Sequence, residues 1–102
     1  MGQRFRVCGE SELPEGGSLV VDVEGQPVLV LKHGGRIYAV SNICTHDYAE
    51  LSKGLVMEGT ITCPVHLSRF RLDTGEVLNP PAVRPLQVYR VVVEGGSVFV
   101  EL

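Results

Sequence analysis

Between Ser18 and Val40 the apolar residues fall into short, dense blocks separated by glycine. The blocks are SLVVDV (18–23), PVLVLK (27–32) and RIYAV (36–40). Blocks of this length, rich in Val and Leu and closed off by turn residues, predict strands. EGQ separates the first two and HGG the second and third, which predicts tight hairpins with glycines free to take positive φ. QVYRVVV (87–93), EGG and SVFVEL (97–102) repeat the arrangement near the C-terminus. GTITC (59–63) and FRLDTGEVL (70–78), the latter turning at DTG, supply further strand material. NPPAVRP (79–85) carries three prolines and suits neither helix nor central strand. The one short helix candidate is AELSKGL (49–55), cut off by Gly54. Many short strands and no amphipathic helix predict an all-β antiparallel sandwich or small barrel.

Composition narrows the function classes. A chain of 102 residues with 44% hydrophobic content suits one ordinary globular domain. The net charge of −3 and arginines scattered from Arg4 to Arg90 leave no basic track, so no nucleic-acid partner is expected. No apolar run reaches the length of a membrane span, and the first residues hold no apolar leader segment. A cytoplasmic protein without a membrane partner is the expectation. Three cysteines cannot all pair with one another, which favours metal or redox chemistry over a disulfide scaffold.

The chain has only three cysteines and three histidines, and four of those six fall into two boxes. The first is Cys44-x-His46; after sixteen intervening residues comes Cys63-x-x-His66. Two thiolates and two imidazoles suit iron–sulfur, zinc or copper and not the hard cations magnesium and calcium. A tetrahedral zinc site usually receives a Cys–Cys pair followed by a His–His pair. Here each loop offers one sulfur and one nitrogen. One intervening residue makes it awkward for both members of the first box to chelate a single ion, but easy for them to serve neighbouring metal atoms. A two-iron, two-sulfide cluster with Cys₂ on one iron and His₂ on the other is the Rieske centre.

The segments CTHDYAELSKG and TCPVHLSRFRLDTGEVLNPPAVRPL resemble a Rieske-type [2Fe-2S] ferredoxin, of the small soluble kind that serves aromatic-ring-hydroxylating oxygenases. The resemblance runs over nearly the whole chain. It implies a Rieske-type antiparallel β-sandwich over residues 1–102, with a small cluster-binding subdomain at about 41–82. It assigns Cys44 and Cys63 to the inner iron, and His46 and His66, through Nδ1, to the outer one. The chain would then carry single electrons from a flavoprotein reductase to a terminal oxygenase and would not itself be an enzyme. Neutral imidazoles in place of thiolates raise the potential relative to all-Cys clusters. Imidazole N–H groups near solvent also make that potential pH-dependent.

What is missing points to the subfamily. Rieske proteins of respiratory and photosynthetic complexes add a second, disulfide-forming Cys to each box, where this chain has Ala49 and Val65. The terminal oxygenases add a large domain that 102 residues cannot hold. The family usually places Gly after the second His; Leu67 stands there and disfavours positive φ, so a local difference in that loop is expected. Ser68 matches a position whose hydroxyl meets a cluster sulfide in high-potential relatives, while Phe70 lacks the hydroxyl of the accompanying tyrosine. A low-to-intermediate potential follows. Pro81 belongs to the segment that covers the cluster in the family. Tyr48 and Leu67 flank the histidines as candidate docking residues, with Asp47 and Glu50 steering a basic partner. Cys8 is expected to be a small packed residue and His33 a solvated turn histidine. Rival readings are the small subunit of an assimilatory nitrite reductase, the ferredoxin of a diiron monooxygenase and a zinc-stabilised interaction module.

Overall fold

Hairpins joined by two-residue turns account for most of the chain. The computed structural model describes residues 3–45, 49–65, 67–80, 82 and 84–102. β2 (Ser18–Val23), β3 (Gln26–His33) and β4 (Arg36–Ser41) form a meander, and β8 (Val88–Glu94) and β9 (Ser97–Glu101) a hairpin. Glu24 and Gly25, Gly34 and Gly35, and Gly95 and Gly96 all have positive φ. Positive φ at both central residues matches a turn to the right-handed twist of its strands, which is why glycine recurs at these tips. β1 (Arg4–Gly9) pairs with β9 and carries a bulge between Arg6 and Cys8. The resulting antiparallel sheet has the order β1-β9-β8-β4-β3-β2.

A second sheet of three short strands, β5 (Leu55–Met57), β6 (Thr60–Thr62) and β7 (Arg69–Arg71), stands apart in the order β5-β6-β7. The predicted meander and C-terminal hairpin are present. β1 and β5 are additions to the sequence reading, one disguised by its bulge and the other only three residues long. FRLDTGEVL is strand only at its start, with Val77 joined to Phe70 by a single bridge. AELSKGL contains one 3₁₀ turn, Leu51–Lys53, and Gly54 ends it.

β3 is buried on both faces. Val28 and Val30 point into a core shared with Cys8, Leu13, Val23, Ala39, Val98 and Val100. That core joins β9 to β3, with two strands between them in the sheet order, so the six-stranded sheet curls onto itself as a sandwich. Leu29 and Leu31 point the other way, into a core with Val40, Leu51, Ile61, Phe70, Leu72, Leu86 and two cysteines, Cys44 and Cys63. The alternation of Cβ directions along one strand therefore serves two cores. No helix among the described residues is long and apolar enough to cross a membrane.

Candidate metal centre

Both cysteine boxes lie on loops that close in the same way. After β4, the Cys44 amide donates to the carbonyl of Ala49, five residues on, at 2.9 Å. After β6, the Cys63 amide donates to the carbonyl of Ser68, also five residues on, at 2.7 Å. Each cysteine thus opens a short loop whose ends are tied together, with the box's histidine position inside it. The two sulfurs come to the same apolar core, where Cys44 is 2% and Cys63 0% exposed. All three cysteines are buried, and none is in a disulfide.

Two soft donors brought into one dry pocket from separate loops fit the inner iron of a [2Fe–2S] cluster. His46, His66, Asp47, Tyr48 and Pro81 lie outside the described residues.

The first loop is closed mainly by its own backbone. Leu51 donates to the Asn42 carbonyl at 2.7 Å, and Ile43 bridges Glu50. Asn42 is buried, and its side-chain oxygen accepts from the Ser52 amide at 2.8 Å. The Glu50 carboxylate makes a long, exposed ion pair with Lys53, at 3.8 Å.

The second loop is held from outside. Ser68 is fully buried, and its hydroxyl oxygen accepts from the Ala82 amide at 3.0 Å. Asn79 accepts from the Arg69 amide at 2.7 Å and donates to the Leu67 carbonyl at 3.2 Å. Asn79 and Ala82, from the proline-rich strap at 79–85, are thus tied to the Cys63 loop. Phe70, behind the loop, is fully buried.

Leu67 corrects one expectation. Its φ is +63°, so the loop keeps the left-handed backbone that suits glycine and carries a leucine there regardless. Its side chain is 64% exposed, with Val65 and Leu78 also exposed. His33 corrects another. It is half-buried, and its Nε2 accepts from the Gly59 amide at 3.1 Å, tying the end of β3 to the β5–β6 turn. Its own hairpin tip is held by Glu15, whose carboxylate accepts from Gly34 at 2.6 Å and from Gly35 at 2.8 Å. Those two amides are the main reason that the Glu15 carboxyl is held below its usual range. Cys8 is packed as expected, and burial pushes its thiol up.

Comparison with known proteins agrees with this geometry. Residues 3–90 match the Rieske [2Fe-2S] domain. The chain is 41% identical over 101 residues to the 3-phenylpropionate/cinnamic acid dioxygenase ferredoxin subunit of Escherichia coli (strain K12), covering 97% of this chain and 93% of that one. Its structure resembles the ferredoxin of carbazole 1,9a-dioxygenase from Nocardioides aromaticivorans IC177, with a TM-score of 0.89, 36% identity and 96% of each chain covered. It also resembles a chain in the complex of reduced oxygenase and oxidized ferredoxin in carbazole 1,9a-dioxygenase, with a TM-score of 0.89, 34% identity, and 96% of this chain and 92% of that one covered. The chain belongs to the Rieske [2Fe-2S] family.

Proposed function

We propose that this protein is a cytoplasmic one-electron carrier that takes electrons from a flavoprotein reductase and delivers them to a terminal dioxygenase. The observation that carries the reading is the pair of buried thiols, Cys44 and Cys63, on two loops with matching closures inside one core. On this reading residues 1–102 form one domain, with the cluster-binding part at about 41–82. Cys44 and Cys63 hold the inner iron; His46 and His66 hold the outer one. When bound, the [2Fe–2S] cluster supplies reversible one-electron chemistry. The chain's own residues fix the loops, exclude water from the sulfur side and present the histidine side to a partner. Ser68 and the strap around Pro81 cover the centre. Tyr48 and Leu67 provide an apolar contact for the oxygenase, with the bond-making chemistry left to that partner.

The Leu67 geometry supports the docking role. An exposed leucine gains little from burial, and a left-handed backbone costs a non-glycine residue about 1 kcal/mol. Both considerations favour glycine for the isolated fold, so the benefit of leucine is sought in a contact outside the chain.

The test is iron, acid-labile sulfide and zinc per chain on protein purified without air. It is followed by reduction and transfer of the electron to a dioxygenase. Equal iron and sulfide, with a rate that falls when Leu67 is replaced by Ser, supports the reading. Zinc without sulfide overturns it in favour of a zinc-stabilised module.

A further inference from the structure

Thr45 stands between Cys44 and His46 in sequence, and its contacts lead to a residue far along the chain. Its hydroxyl donates to the carbonyl of Arg84 at 3.0 Å. The Arg84 guanidinium donates back to the carbonyl of Thr45, through Nη2, at 3.4 Å. Arg84 belongs to the strap that meets the second loop through Asn79 and Ala82 and is pinned beyond by Leu86, which donates to the Gly75 carbonyl at 2.7 Å. One segment therefore touches both cysteine loops, with Arg84 as its contact on the first. Arg84 and Cys44 also line one recess of about 440 Å³.

Among the described residues no carboxylate pairs with Arg84, in contrast to Arg71, which Asp73 and Glu76 engage. A positive charge on the carbonyl between two expected ligands lowers the cost of placing an additional electron on the group they hold.

We propose that Arg84 is a positioning residue that sets the reduction potential, pinning the first ligand loop through Thr45 and favouring the reduced state with its charge. The inference rests on the metal-centre reading above and adds a residue that the ligand boxes do not contain.

The experiment is a redox titration of the iron-loaded protein and of R84K, R84Q, R84E and T45V, at low and high salt. Iron and sulfide are measured on each sample. Replacing an exposed charge by Gln is expected to lower the equilibrium constant for reduction by about threefold, or about 30 mV for one electron. R84E shifts it further in the same direction, R84K stays at the native value, and high salt shrinks both differences. T45V keeps the charge and the potential, but releases iron to a chelator faster than the native protein. Loaded R84Q and R84E with the native potential at low salt overturn the proposal. So does an R84K shift as large as that of R84Q, which remains readable if R84Q fails to hold the cluster. A native protein that binds no iron and sulfide overturns the metal-centre reading instead, a result distinct from either.

Discussion

The two cysteine loops share a closing hydrogen bond and differ in what surrounds it. The Cys44 loop is tied mainly to its own neighbours through Asn42, Ile43, Glu50 and Leu51, and the strap reaches it through Thr45 and Arg84. The Cys63 loop relies on Asn79 and Ala82, which lie 10 to 14 residues beyond the groups they hold. Of two similar boxes in sequence, one is thus held mostly by local structure with a single residue of the strap against it, and the other by two residues of the strap, Asn79 and Ala82. Damage to the strap should disturb the second loop first.

The largest effects come from the sulfurs themselves. Cys44→Ala or Cys63→Ala should each abolish iron and sulfide binding, since neither loop alone supplies two sulfur donors; metal analysis of the purified variants checks this. Next come the glycines where the loops meet the sheets. A Cβ on Gly54 would overlap the carbonyl oxygen of Thr62, and one on Gly75, at φ +79°, that of Leu86. Each alanine variant should lose about 2–4 kcal/mol, Gly75→Ala the more because its backbone also resists a side chain. Thermal melting reads the difference.

Asn42→Ala and Ser68→Ala each leave a backbone amide without its acceptor, at about 1–3 kcal/mol. The comparison predicts different symptoms. The first variant should melt earlier with or without iron, while the second should show mainly faster iron loss to a chelator. Equal chelator rates would refute that contrast. Leu67→Gly should stabilise the fold by about 1 kcal/mol by relieving the left-handed leucine, raising Tm by roughly 5 °C, while weakening transfer to the oxygenase.

The smallest effect lies away from both loops. The Glu15 carboxyl is held below its usual range in the folded protein, so the unfolded chain binds that proton first as pH falls. The stabilising contribution is complete above the ordinary glutamate range and lost as pH drops through the lowered folded value. Acid titration of stability in Glu15→Gln should lack this component, with iron binding at neutral pH unchanged.

How much of this could be read from the sequence depended on whether a feature was local. The EGQ, HGG and EGG tips announced their hairpins because positive φ selects glycine, and those turns appear where expected. The boxes around Cys44 and Cys63 were visible through residue type and spacing. β1 was hidden because a bulge at Val7 breaks the two-residue period, and β5 because three residues carry no period at all. Leu67 was misread because the preference against positive φ is modest beside the constraints of a short, tied loop. His33, Arg84 and Asn79 act on backbone groups 26, 39 and 12 residues away, and spacing in one dimension contains no trace of such contacts.

The β1–β9 ladder sets Arg4 opposite Glu101, and the Leu102 amide donates to the Gln3 carbonyl at 3.0 Å. Gln3 and Leu102 are thus neighbours in space while being almost the full chain apart. A short linker between them, with the chain opened at Gly95 and Gly96, would give a circular permutant in which this distant pairing becomes a simple hairpin. Both cysteine loops would keep every contact described above. β8 and β9, adjacent in the native order, would in turn become the distant pair, so contact order and folding rate should change little while the order in which the two ladders close is reversed.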